Sequence, residues 1–197
     1  MIIDQLTRSI QLKICYFGPA LSGKTTSVKT LFGHFGKKNR VLSIDSSLRR
    51  TLFFDYGTIN FQNQQWNLKI HIYSTTGQDF YIITRPTTLQ GIDGVIFVAD
   101  SQQEVYHRNL TSWNELCNYF EDIIINLPKV IAFNKQDLPD KFSPAVFLEN
   151  INYFKFKNID FKKTIAVNGE GILDCFEEIL SLVFKHLYKG QIISALQ

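Results

Sequence analysis

The sequence predicts an α/β domain, a mainly parallel sheet with one antiparallel edge hairpin and helices on both faces. Three observations carry this. Extended apolar segments alternate with helical ones along the 197 residues, the order in which crossover helices wrap a parallel sheet. Residues 95–99 form an unbroken apolar run of mostly β-branched and aromatic side chains, as a strand buried on both faces requires. A glycine-containing loop, residues 18–25, stands between a strand pattern and a helix pattern.

Taken in order, residues 10–17 read as the first strand and residues 24–35 as the helix after the loop. Residues 41–44 make a short strand-like piece. Residues 52–61 and 68–73 read as two strands joined by the polar turn 62–67, which makes them the hairpin. After the buried strand at 95–99, Leu110, Trp113, Cys117, Phe120 and Ile124 recur at three- and four-residue steps and give a helix one apolar stripe. Residues 130–133 are another buried strand and residues 164–167 the last. The closing helix runs from Gly171, with Ile172, Phe176, Ile179, Leu180, Val183 and Leu187 on one face. No internal repeat, low-complexity tract or linker interrupts the pattern, so residues 1–197 are expected to form one domain.

Composition narrows the class. With 45% hydrophobic and 14% aromatic residues the chain can bury one full core, which excludes disorder. The net charge is +3, and its lysines and arginines fall in short groups at 37–40, 49–50 and 155–163. None is a basic tail of the kind that binds nucleic acid, so most are expected to be solvated surface. Three cysteines (Cys15, Cys117, Cys175) in an odd count, without a Cys-x-x-Cys pair, fit reduced thiols in a cytoplasmic protein. His34, His71, His107 and His186 lack metal-ligand spacing. No apolar stretch reaches the ~18 residues of a membrane span. Neither a signal peptide, a myristoylation glycine nor a prenylation box is present, so membrane attachment is expected through a partner or a surface rather than a lipid anchor.

The loop Gly18-Pro19-Ala20-Leu21-Ser22-Gly23-Lys24-Thr25 has the spacing GxxxxGK[ST]. Backbone N–H groups of such a loop turn inward around phosphate oxygens, and the helix start adds partial positive charge. Gly18, Ala20, Leu21, Ser22, Gly23, Lys24, Thr25 and Thr26 are therefore the candidate phosphate cradle. The Lys24 ammonium would reach the β- and γ-phosphates and the Thr25 hydroxyl would ligate Mg²⁺. About 110 residues on, Asn134-Lys135-Gln136-Asp137 follows a buried strand. A carboxylate beside a purine accepts hydrogen bonds from N1–H and the exocyclic amine of guanine, a pair that adenine does not offer. Asp137 would so choose GTP over ATP, Lys135 lay its stem along the base, and Asn134 tie this loop to the phosphate loop. Ala166, in Ile165-Ala166-Val167-Asn168, stands where a backbone N–H could meet the guanine oxygen; a plain strand-terminal alanine reads the same way.

Between these lies Ser74-Thr75-Thr76-Gly77-Gln78. GTPases usually carry Asp-x-x-Gly-Gln here: the glycine N–H senses the γ-phosphate, the glutamine orients water, and the aspartate supports Mg²⁺. Gly77 and Gln78 are present, but Ser74 replaces the aspartate.

The strings Tyr16-Phe17-Gly18-Pro19, Arg50-Thr51-Leu52-Phe53-Phe54-Asp55 and the segment from Gly91 to Gln102 resemble the MglA family, Ras-like GTPases associated with bacterial and archaeal cell polarity and gliding motility. The similarity runs from about Leu12 to Leu187. It implies a Ras-like P-loop NTPase fold, GTP/GDP and Mg²⁺ as ligands, and slow intrinsic hydrolysis stimulated by a partner. Members of that family also lack the aspartate, commonly having Thr in the place of Ser74. By resemblance Thr51 ligates Mg²⁺ and touches the γ-phosphate, Arg50 acts as a built-in arginine finger, and Gln78 positions water. The partners implied are a small roadblock-type activator related to MglB and effectors bound through the switch loops, with no nucleic acid and a monomer when alone. Asp55 either compensates for Ser74 at the metal or ends a strand edge in solvent. Phe53, Phe54, Tyr56, Phe80 and Tyr81 divide between core packing and a partner surface. The alternatives are a nucleotide-binding scaffold without turnover and a P-loop metabolite kinase.

Overall fold

The computed structural model describes residues 1–36, 42–45, 51–63, 65–75 and 88–195, with backbone alone at 42–45, 51–54 and 189–195. Eight strands form one sheet: β1 (Ile2–Asp4), β2 (Ser9–Phe17), β3 (Leu42–Asp45), β4 (Thr51–Gln62), β5 (Asn67–Thr75), β6 (Gly94–Asp100), β7 (Lys129–Asn134) and β8 (Ile159–Lys163). Their order across the sheet is β3-β4-β5-β2-β6-β7-β8, with β1 paired to β2. The β5-β2-β6-β7-β8 block is parallel and β3-β4-β5 antiparallel. The hairpin expected from the polar turn is therefore present. Its corner is an Asx turn in which the Asn63 carboxamide oxygen accepts from the N–H groups of Gln65 and Trp66.

Four helices are seen among the described residues: α1 (Lys24–His34), α2 (Tyr106–Phe120), α3 (Pro144–Asn150) and α4 (Ile172–Ala195). Every residue of β6 and β7 is buried because both faces of the sheet are covered. On one face Val28, Leu31 and Phe32 of α1 and Phe176, Ile179 and Val183 of α4 close over Ile14, Ile70, Ile72 and Ile96. On the other, Trp113 of α2 and Phe147 of α3 pack with Phe97 and Phe133, ring centroids 5.1 Å (Phe97–Trp113) and 5.6 Å (Phe133–Phe147) apart. Truncating either ring would remove roughly 3 to 5 kcal/mol. The thiols match expectation: all three are free, and burial pushes Cys15 and Cys175 up to about 12, so neither is reactive.

Two sequence expectations are corrected. The last strand is not residues 164–167 but Ile159–Lys163; only Ile165 of the former stretch pairs, in an isolated bridge to Glu170. An edge strand half in water carries Asp160, Lys162 and Lys163, and so lacks the apolar run that marks β6 and β7. The buried face of α2 is Asn109, Ser112, Trp113 and Leu116, while Leu110, Cys117 and Phe120 lie half-buried at its margin. Polar bonds turn the helix: the Asn109 carboxamide accepts from the Asp100 N–H (2.9 Å) and donates to the Asp100 carbonyl (2.8 Å), capping the end of β6. The terminal β1 and the seven-residue α3 are too short for periodicity to have disclosed them.

Candidate functional site

The carboxyl ends of β2, β6 and β7 point to one rim, where the loop between β2 and α1 lies. Its glycines are required by geometry. Gly18 has φ +141°, and a Cβ there would stand 2.3 Å from the Val98 carbonyl oxygen; Gly23 has φ +103°, and a Cβ there would stand 2.2 Å from Asn134 Nδ2. Gly23 caps α1 without a side-chain hydrogen bond, and the first backbone bond over the cap runs from Ser27 N–H to the Gly23 carbonyl at 2.8 Å. The N–H groups of Lys24, Thr25 and Thr26 precede that bond and are the donors a helix start offers to an anion. Leu21, at φ +63°, is exposed, Ala20 is half-buried, and Ser22 is buried with no partner for its hydroxyl among the described residues. The Lys24 ammonium folds back across the loop, donating to the carbonyls of Gly18 (2.8 Å) and Pro19 (2.7 Å). An ammonium held on carbonyl dipoles at the loop mouth is poised for phosphate oxygens.

Beside the loop, the Thr25 hydroxyl donates to Asp55 Oδ2 at 2.6 Å. Asp55 is fully buried within β4, so the reading that it ends a strand edge in solvent is overturned. In the β4–β5 register Asp55 lies directly opposite Ser74. Opposed residues of an antiparallel pair project to the same face, here the face that α1 covers. A buried carboxylate thus stands one strand away from residue 74. The Ser74 hydroxyl itself is buried and has no partner among the described residues. A hydroxyl, a carboxylate and an unpaired second hydroxyl are oxygen donors only, which suits a hard cation such as Mg²⁺ brought in with phosphates.

On the other side of the loop, Asn134 ends β7 and joins three segments. Its Nδ2 donates to the Ser22 carbonyl (2.8 Å), while Oδ1 accepts from the Ala166 N–H (2.9 Å) and the Thr164 hydroxyl (3.2 Å). The expected tie between base loop and phosphate loop is present, and it includes Ala166. That N–H is spent on Asn134, so Ala166 sits at the site through this bond. Lys135, at φ +65°, sends its ammonium to Asp100 Oδ2 at 2.5 Å. Asp137 is exposed at the rim. Asp100, buried and held by Asn109, is a site residue that sequence reasoning missed; its only signal was its place at the end of an apolar strand. Thr51 begins β4, its side chain outside the described residues; Arg50, Gly77, Gln78, Phe80 and Tyr81 also lie outside them.

Comparison with known proteins gives one consistent answer. A Ras family profile matches residues 17–185. The mutual gliding-motility protein MglA of Myxococcus xanthus is 34% identical over 194 residues, which cover 95% of this chain and 98% of that one. The Ras-related protein Rab-5B of Plasmodium falciparum is 25% identical over 179 residues, 88% of this chain and 78% of that one. The ADP-ribosylation factor-like protein 6 of Caenorhabditis elegans is 24% identical over 185 residues, 84% of this chain and 97% of that one. A phosphate loop, a base loop clamped to it by Asn134, and these matches agree: the chain belongs to the Ras family of small GTPases and is MglA-like within it.

Proposed function

We propose that this chain is a cytoplasmic GTP/GDP switch that hydrolyses GTP slowly alone and faster with an activating partner, in regulation of the polarity or motility type. The observation that carries the reading is the Asn134 clamp, which fixes a phosphate-binding loop and a guanine-reading loop as one body. Asp137 would accept the guanine N–H pair and so reject adenine. The N–H groups of Gly18 and residues 20–26 would hold the β-phosphate, and Lys24 would leave the Gly18 and Pro19 carbonyls for the β- and γ-oxygens. Thr25 and Thr51 would hold Mg²⁺, with Asp55 in the role the family usually gives to an aspartate at Ser74. That ion supplies charge neutralisation on the phosphates.

For hydrolysis, Gln78 orients a water in line with the γ-phosphorus. Its oxygen bonds to phosphorus as the bond to the β–γ bridging oxygen breaks, leaving GDP and inorganic phosphate. Arg50 neutralises charge on the transferring group from within the chain. A small roadblock-type activator related to MglB would position that arginine instead of supplying one. Thr51 and Gly77 lose their γ-phosphate contacts on hydrolysis, which releases the loops that effectors read.

Single-turnover GTP hydrolysis, with and without a roadblock-type protein, tests this. Acceleration by the partner that both Arg50→Ala and Gln78→Leu abolish is the expected result. Tight GTP binding with no turnover in any condition would replace the switch with a scaffold. Equal affinity for ATP would remove the guanine reading altogether.

A further inference from the structure

Positive charge is concentrated in one stretch of the sequence. Between residues 141 and 163 stand five lysines against Glu149 and Asp160, a balance of +3 that equals the net charge of all 197 residues, so the remainder sums to zero. Lys162 is held between Asp160 at 2.9 Å and Glu178 of α4 at 3.5 Å, which leaves Lys155, Lys157 and Lys163 as the charges available to a partner. Lys155, Lys157 and Lys163 are exposed. Glu121 and Asp122 line a shallow cavity with Lys155 and mark the margin of this basic face.

The same segment holds aromatic rings in water. Phe154 is 96% exposed and Phe161 38%. Tyr153 meets both edge-to-face, at centroid distances of 5.7 and 6.2 Å. The turn that displays Phe154 is firmly tied. Asn152 adopts φ +53°, Lys155 N–H donates to the Asn152 carbonyl (3.0 Å), and Phe156 N–H to that of Tyr153 (3.1 Å). The Tyr153 hydroxyl donates to the Ile159 carbonyl at 3.2 Å. Phe156 is buried beneath, with the Lys155 ammonium 4.9 Å from its ring centre. A lone exposed apolar residue needs no explanation; a protruding ring fixed in place among lysines and further aromatics does.

We propose that residues 153–163 form a docking face for an anionic membrane surface, with Phe154 entering the headgroup boundary and Lys155, Lys157 and Lys163 facing acidic headgroups. Charge complementarity and a protruding aromatic are the combination by which peripheral proteins hold such surfaces. The placement is consistent with the switch reading. β8 is the far edge of the sheet, five strand spacings from β4, or about 24 Å at ~4.8 Å each. A chain docked there keeps the strand that begins with Thr51 turned away from the bilayer.

Co-sedimentation of the full chain with vesicles tests this, comparing phosphatidylcholine alone with an equimolar mixture of phosphatidylcholine and phosphatidylglycerol. The chain is expected to pellet with the mixed vesicles only, and added salt to release it. Phe154→Ala should lower partitioning about tenfold and Lys157→Gln about fivefold, as one ring or one charge at the surface provides. GDP affinity should be unchanged in both variants, which excludes misfolding. Equal partitioning onto both vesicle types, or variants that bind like the parent, would overturn the proposal. So would retention on a single-stranded oligonucleotide without vesicle binding, which would reassign the lysines to a nucleic-acid polyanion. None of these outcomes depends on GTP turnover, so failure here is distinguishable from failure of the switch.

Discussion

The two flanks of the phosphate loop are built to different standards. On the β7 flank every polar atom of the Asn134 carboxamide is engaged, by Ser22, Thr164 and Ala166, all within buried structure. On the β4–β5 flank the Thr25 hydroxyl donates to Asp55, and Ser74 is buried beside that bond without a partner among the described residues. Buried polar groups are nearly always satisfied, so the contrast carries information. The β7 flank closes entirely on described, buried partners, whereas on the β4–β5 flank the Ser74 hydroxyl has none among the described residues and is open to an oxygen ligand or cation.

The largest effect should come from breaking the completed flank. Asn134→Ala removes three bonds from buried partners, roughly 3 to 4 kcal/mol, or 10²- to 10³-fold in GDP affinity. Fluorescent-nucleotide titration reads this directly, and a loss under threefold would mean that the clamp does not govern binding. A smaller effect is expected on the unfinished flank. Asp55→Asn should raise the Mg²⁺ concentration that slows GDP release by about ten- to a hundredfold, and adding Ser74→Asp should recover much of it. An unchanged Mg²⁺ requirement would sink the assignment of Asp55 to the metal.

The smallest effect comes from a control remote from the site. Lys129, at the opposite end of β7 from Asn134, is likewise buried, its ammonium without a hydrogen-bond partner among the described residues and 4.8 Å from the Phe156 ring centre. Burial depresses its amine from 10.5 to about 7. The folded state then binds fewer protons than the unfolded chain between about pH 7 and 10.5, so stability rises with pH across that window and the cost is full below it. Lys129→Met should stabilise the protein by about 1 to 3 kcal/mol at neutral pH and flatten that rise, with GDP affinity unaltered. Denaturant melts at several pH values would show it. If nucleotide affinity moved as well, unsatisfied groups could not be sorted into functional and incidental by position.

What could be read from the sequence follows the range of each interaction. The phosphate loop and Asn134 to Asp137 are short strings whose spacing is their chemistry, and both occupy the strand ends expected of them. Asp55 was visible as a residue, but its pairing with Ser74 depends on the register of an antiparallel ladder between positions 19 apart in the chain, which no local pattern encodes. Asp100 was hidden for the same reason: its role comes from Lys135 and Asn109, one just past the end of the next strand and one on a helix. The final strand was misplaced because charge on an edge erases the apolar signal, and the buried face of α2 because a polar residue pulled it round.

The contact between Gly23 and Asn134 has a kinetic consequence. If the chain is the proposed switch, phosphate and base would be gripped by one body, so release of either end would leave the other holding the ligand at high effective concentration. Occupancy would then be long-lived without either grip being strong. In that switch, an agent that moved the Ser22 carbonyl away from Asn134 by the length of one hydrogen bond would uncouple the two grips together and shorten the dwell time. A latch of this design needs a single small displacement to be emptied.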